Sequence, residues 1–147
     1  MILGDELNTA AVYFFARRTG TVILATIDED LRPHTAPFNY ICVADSRHLR
    51  IAISRNHQTY ANIVNHGYVA LAIVDEGDLA VCVKGNVRVL CASMNSNPDM
   101  AMIEVEITEI RGNNSPSHCV NQGIRIHHRN ELKLLESRRI FIELGQD

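Results

Sequence analysis

Over residues 5–18 the apolar positions Leu7, Ala10, Ala11, Phe14 and Phe15 fall on one helical face, with acidic residues at the start and Arg17-Arg18 at the end before Gly20. This spacing predicts an N-terminal helix over 5–18, placed to cap one end of a barrel. Beyond Gly20 the hydrophobic period shortens from about 3.6 to about 2. Residues 21–28 are rich in β-branched side chains, Asp28-Glu29-Asp30 forms a turn, and 34–43 is a second extended run, so the pair reads as a hairpin. After Ala44-Asp45-Ser46-Arg47, a third strand over 48–54 alternates Leu49, Ile51 and Ile53 with polar or small residues.

Residues 56–66 return to helical spacing, with Tyr60, Ile63 and Val64 on one side, Thr59, Asn62 and His66 on the other, and Gly67 as a stop. Strands over 68–74 and 79–91 flank the turn Asp75-Glu76-Gly77-Asp78, and Val81, Val83, Val87 and Val89 form the expected inward set of the longer one. A polar loop over 92–98 leads to a sixth strand over 100–110. There Ile103, Val105 and Ile107 alternate with Glu104, Glu106 and Thr108, the signature of one wet face. Residues 112–123, with Asn113-Asn114-Ser115-Pro116-Ser117, read as a loop. Residues 130–144 read as a helix on the stripe Leu132, Leu135, Arg139 and Ile142, although Arg139-Ile140-Phe141-Ile142 also suits a strand. Six short strands with helices at both ends and one between the third and fourth imply a mainly β fold, one antiparallel barrel domain over 1–147 whose closure removes strand edges.

Charge narrows the function classes. Fourteen Lys and Arg stand against 17 Asp and Glu, a net charge of −3, which argues against a dedicated nucleic-acid binder while leaving room for a local anion site. No apolar run approaches the roughly 18–20 residues of a membrane span. Met1-Ile2-Leu3-Gly4-Asp5-Glu6 lacks the basic start of a secretory leader, so a cytoplasmic location is expected. The four cysteines, at 42, 82, 91 and 119, make no CxxC pair and are expected to pack as small hydrophobes, three of them within apolar runs. His127-His128 diverge on any regular element and have no acidic partner at metal-ligand spacing, so no metal centre is expected.

The segment from Ser54 to Asn62 carries the strongest local chemistry. A strand end feeding a helix N-terminus offers backbone N–H groups and a favourable dipole to an anion, and Ser54, Arg55, His57, Gln58 and Thr59 add side-chain donors. The alternative is that Asn56 caps the helix while Arg55 and His57 are solvated. Pro37, within the second extended run, marks an edge or bulge where backbone groups can meet a ligand; alternation puts Ala36, Phe38 and Tyr40 on one face and Asn39 with Pro37 on the other. Lys84, Asn86 and Arg88 alternate on a polar face.

Four stretches together resemble the FMN-binding split β-barrels related to pyridoxamine 5′-phosphate oxidase. They are Gly20-Thr21-Val22-Ile23-Leu24-Ala25-Thr26, Arg32-Pro33-His34-Thr35-Ala36-Pro37, Ser54-Arg55-Asn56-His57-Gln58-Thr59-Tyr60-Ala61-Asn62 and Lys84-Gly85-Asn86-Val87, in that order. The small FMN-binding proteins are most similar, through His-x-Thr-x-Ala-Asn over residues 57–62. The resemblance implies a six-stranded antiparallel split β-barrel that binds FMN as a homodimer. It places the phosphate on Ser54, Arg55, His57, Gln58, Thr59 and Asn62, the isoalloxazine near Pro37, Phe38 and Asn39, and Lys84 as a further contact. Relatives commonly place a lysine where this chain has Gln58, leaving Arg55 to supply the charge. The oxidases proper carry a C-terminal Trp- and Arg-containing substrate signature. This chain has no Trp, so the resemblance implies an electron-transfer or flavin-reductase role rather than full oxidase activity. A non-enzymatic flavin, deazaflavin or haem module, the last with His34 or His57 as ligand, is the alternative.

Overall fold

The computed structural model describes residues 1–145. In chain order the elements are β1 (Ile2–Gly4), α1 (Thr9–Ala16), β2 (Val22–Ile27), β3 (Pro33–Phe38), β4 (Ile41–Asp45), β5 (His48–Ser54), α2 (Gln58–His66), β6 (Tyr68–Asp75), β7 (Leu79–Cys91), β8 (Met100–Gly112) and α3 (Glu131–Leu144). All strand pairs are antiparallel, along the path β3-β2-β6-β7-β8-β5-β4, with β1 added to β8.

Eight strands stand where six were expected. One addition is the short β1, and the other arises because the run over 34–43 is broken. Pro37 has no N–H to donate, and at Asn39 the chain leaves β2 and joins β5: Ile41 N donates to Asn39 O at 2.9 Å and Ala52 N to Tyr40 O at 3.0 Å. The expected common face of Ala36, Phe38 and Tyr40 is lost at this break. Phe38 packs on the main core, whereas the Tyr40 ring meets Phe141 at 5.5 Å in a second cluster. The two ends of the sheet path, β3 and β4, are joined by the chain and not by a ladder, so the barrel is split and its edges persist.

Leu24, Leu49, Ile51, Ile53, Leu71, Ile73, Val83, Ile103 and Val105 fill the barrel, with Phe14 and Phe15 of α1 closing it. The helix α1 is shorter than expected because Asn8 is its N-cap, accepting from Ala11 N at 2.9 Å; Leu7 is buried ahead of the helix and Ala10 is exposed. Along β7, Val81 and Val83 are buried and Val87 packs partly against the core, but Val89 is exposed: register shifts at Lys84/Gly85 and Val89/Cys91 take the strand out of phase with a strict alternation. Helix α3 covers the outer face of β4 and β5 with Ile140, Phe141 and Leu144, seated on Cys42, Ala52, Met94 and Met102. The stripe Leu132, Leu135, Arg139 and Ile142, on which the helix is read from the sequence, is the exposed side. Two apolar stripes compete on this helix, and the one carrying the larger Phe141 is buried. None of the four cysteines forms a disulfide; Cys42 is buried, Cys82 and Cys91 are half-buried, and Cys119 is exposed.

Candidate functional site

Helix α2 is built by its two ends. His57 has extended backbone (φ −81°, ψ 141°) and its Nδ1 accepts from Thr59 N at 3.2 Å, so His57, not Asn56, is the N-cap. At the other end Gly67 takes the left-handed conformation (φ 61°) and donates its N–H to Ile63 O at 2.8 Å. The inward face takes residues from both sides of the periodic pattern. Thr59 and Asn62 are buried together with Ile63, whereas Val64 is 60% exposed. A side chain buried for polarity rather than for greasiness needs a partner. Asn62 Nδ2 donates to Thr26 Oγ1 at 3.0 Å and Asn62 Oδ1 accepts from Gln58 Nε2 at 2.8 Å.

The arrangement is incomplete elsewhere. Thr59 is fully buried, yet among the described residues its Oγ1 has no hydrogen-bond partner, and the same holds for the sequestered Nε2 of His34. His34 lies opposite Thr26 in the β2–β3 register, and its ring centroid is 6.3 Å from that of His57, which meets Phe38 at 5.4 Å on another side. Four elements therefore converge: β2 through Thr26, β3 through His34 and Phe38, the turn after β5 through His57, and α2 through Thr59 and Asn62.

The remaining candidates divide. Ser54 is half-buried and serves the turn, its O accepting from His57 N at 3.1 Å and its Oγ from Asn56 N at 3.4 Å. Arg55 is exposed and its guanidinium donates to Ala92 O, tying the turn to the loop after β7. Pro37 is exposed at the β3 edge, and Asn39 is half-buried at the break. Lys84 is exposed, 3.5 Å from Glu109, and lines a largely apolar cavity of about 370 Å³ with Ala25, Thr26, Pro33, Tyr68 and Asn86. Thr26 thus belongs to both the cavity and the α2 cluster. Gly85, beside Lys84, is required by the close approach of β8, since a Cβ there would lie 2.5 Å from Glu106 O.

Thr26 and Gln58 show what the residue pattern offers. Thr26 stands at an inward position of β2 after Val22 and Leu24, and a hydroxyl in an otherwise apolar row signals a buried polar contact. No such signal marks the pairing of Gln58 with Asn62, a contact within one helical turn that competes with outward use of the amide.

A second buried polar group lies across the β5-β8-β7 face. Glu104, expected on a wet face, is only 6% exposed because Arg50 and Arg88 sit opposite it on the two flanking strands. Arg88 donates to Glu104 Oε1 at 2.8 Å through Nη2 and 3.2 Å through Nε, and Arg50 to Oε2 at 3.3 Å. Burial pushes the Glu104 carboxyl up, but these hydrogen bonds outweigh it and hold the group below its ordinary value. On the next rung, His48 Nδ1 pairs with Asp45 at 2.8 Å and is raised above its ordinary value chiefly by that hydrogen bond.

The family model for pyridoxamine 5′-phosphate oxidase matches residues 9–114, from α1 through β8. No curated protein matches the chain. Among solved structures, a Lactobacillus delbrueckii protein provisionally named a pyridoxamine 5′-phosphate oxidase is similar, with 24% identity, a TM-score of 0.66, and coverage of 76% of this chain and 98% of that one. The heme storage protein HutZ from Vibrio cholerae gives 11% identity and a TM-score of 0.57 over 75% of this chain and 98% of its own. An FMN-binding protein from Syntrophomonas wolfei gives 12% identity and a TM-score of 0.55 over 71% and 84%. At these identities the structural likeness establishes the fold.

Proposed function

Because the chain belongs to the pyridoxamine 5′-phosphate oxidase family, its model matching residues 9–114, we propose that it is an FMN-binding flavoprotein. Its role on this reading is electron transfer or flavin reduction, carried out by a homodimer in the cytoplasm. The observation that carries the reading is the polar, incompletely satisfied end of α2, where Thr59 Oγ1 is buried without a partner beside a helix N-terminus and His34 Nε2 is sequestered nearby. Such groups cost about 1–3 kcal/mol each when left unpaired, and a phosphomonoester supplies the acceptors that would satisfy them.

The residues present fit that group. Ser54, His57, Gln58, Thr59 and Asn62 would frame the phosphate, with Arg55 on the adjacent loop. Pro37, Phe38 and Asn39 at the β3 break, with Lys84 across the Thr26 cavity, would flank the ring system. Bound FMN would supply one- and two-electron redox chemistry, while the chain fixes its orientation and limits water. The homodimer is part of the same reading, and the small side chains Ala25 and Ala70 lining that cavity on β2 and β6 support it. The absence of Trp from the whole chain favours a reductase or carrier over turnover of pyridoxamine phosphate.

An absorption spectrum of the purified protein tests the cofactor: flavin bands are expected, and a Soret band would replace the reading with a haem module. Sedimentation with flavin present is expected to give a dimer. Under anaerobic mixing, dithionite or a nicotinamide should bleach the bound flavin. Steady formation of pyridoxal phosphate at about 1 per second or faster would restore the oxidase assignment.

A further inference from the structure

We infer that α3 clamps the turn that opens α2, with Glu143 as a positioning residue for Arg55; only the effect on ligand binding rests on the flavin reading above. The helix lies beyond residues 9–114, so the family match assigns it no role. It is reached through residues 113–130, which form neither helix nor strand, and it sits on an apolar cluster separate from the barrel core. The loop over 92–99, between β7 and β8, joins this helix to the turn. Both ends of the loop are tied to Arg55: Ala92 O accepts from its guanidinium, and Asp99 O accepts from its backbone N at 3.1 Å. The tip is tied to α3. Glu143 Oε2 accepts from Asn95 N at 2.9 Å and Oε1 from Ser96 N at 2.6 Å, while Glu136 Oε1 accepts from Asn97 Nδ2 at 2.8 Å.

A carboxylate that takes two consecutive backbone N–H groups, one on each oxygen, holds a loop in one conformation more firmly than a neutral acceptor does. Burial pushes the Glu143 carboxyl up, yet the hydrogen bonds from Ser96 and Asn95 outweigh it and keep the group below its ordinary value, hence charged. The loop is also braced from within. Ser93 Oγ donates to Pro98 O at 2.8 Å and Met94 N to Met100 O at 2.8 Å, while the buried Met94 side chain packs in the α3 cluster with Ile140, Phe141 and Leu144. Tip and ends therefore move as one piece, and the position of α3 reaches both the backbone and the side chain of Arg55. That residue is the one Arg or Lys in the segment Ser54 to Asn62. A helix some 80 residues later in the chain thus sets where the fixed positive charge of the segment stands.

The test uses the full chain with Glu143→Gln, which keeps the shape of the side chain but only one acceptor oxygen, and Phe141→Ala, which removes the ring that seats the helix. Peptide-resolved thiol labelling of Cys42, buried against Phe141, reports whether α3 is docked. Amide exchange followed by NMR reports the loop and the turn. In Glu143→Gln, Cys42 should stay protected while the Asn95, Ser96 and Arg55 amides exchange about tenfold faster; in Phe141→Ala, Cys42 should label faster and Arg55 exchange should rise at least as much. Faster exchange confined to Asn95 and Ser96, with Arg55 unchanged in both variants, would overturn the clamp. In fluorescence-quenching titrations, Glu143→Gln should weaken FMN binding about fivefold, leave riboflavin within about twofold of the parent, and change FMN binding no further once Arg55→Ala is present. Equal losses for the two flavins, or an FMN loss that persists beside Arg55→Ala, would overturn the positioning of Arg55 by Glu143. A parent that binds neither flavin would overturn the flavin reading, and the exchange result would still decide the clamp.

Discussion

Glu104 on a strand and Thr59 on a helix are both polar groups withdrawn from water, yet they are treated oppositely. The carboxylate of Glu104 is saturated, with Arg50 on one oxygen and Arg88 on the other, each from the strand directly alongside. The hydroxyl of Thr59 has no partner among the described residues, though Asn62 one turn later is fully used. On the reading proposed above, the open network is the one that a bound phosphate would complete. The saturated group binds three strands across one face, and the unsaturated one belongs to the proposed flavin site.

Substitutions that treat the two regions alike should separate them. The largest effect is expected from Asn62→Leu, which strands the Thr26 hydroxyl inside the barrel wall and should cost about 2–3 kcal/mol of stability by urea titration, together with flavin binding. Glu104→Ala should follow at about 1–2 kcal/mol, reduced because Arg88 is 72% exposed and recovers solvation. Its cost carries a pH signature. A carboxyl held below its ordinary value of 4.5 in the folded chain stabilises above that value and loses the contribution as pH falls through the depressed one, so parent and variant should converge in acid.

Thr59→Val should change stability least of these three, within about 1 kcal/mol and toward stabilisation, because it removes an unpaired buried hydroxyl while keeping the shape. Flavin affinity should nevertheless fall. A marked loss of stability on Thr59→Val would show that the hydroxyl is satisfied internally and erase the contrast. The smallest effect is expected from His48→Gln on the half-buried rung beside Glu104. Since Asp45 raises His48 in the folded chain, its contribution is present below the ordinary value of 6.5 and fades as pH rises through the raised one, opposite in sign to Glu104. Melting curves at pH 5 and pH 9 would distinguish the two.

Much of this architecture is legible in the chain. The strand positions over 48–54, 79–91 and 100–110 follow from alternation alone, and Gly67 ends its helix as expected because a residue without Cβ readily takes the left-handed conformation that turns the chain out of the helix. The misread elements share a cause. For α2 and α3, periodicity identifies a helix but not which of two faces is covered, a choice made by residues distant in sequence: Thr26 for Asn62, and Cys42 and Met102 for Phe141. The break at Asn39-Tyr40 is likewise invisible locally, because it exists to carry the chain from β2 to β5. Within the candidate segment Ser54 to Asn62, the residue pattern shows the strand end and the helix start, but the engagement of Gln58 and Arg55 and the approach of His34 depend on tertiary placement.

The position of β8 carries a consequence for synthesis. It is the last strand made, yet it lies between β7 and β5, so the half containing β3, β2, β6 and β7 and the half containing β4 and β5 have no ladder between them until it arrives. A nascent chain can form the β2–β3 and β4–β5 hairpins as they emerge from the ribosome, but the core containing Ile53, Leu71 and Ile103 closes only after residue 112 is free. Until then the incomplete sheet exposes its edges, and a stall in translation before β8 would hand the quality-control machinery a chain with correct hairpins and no interior.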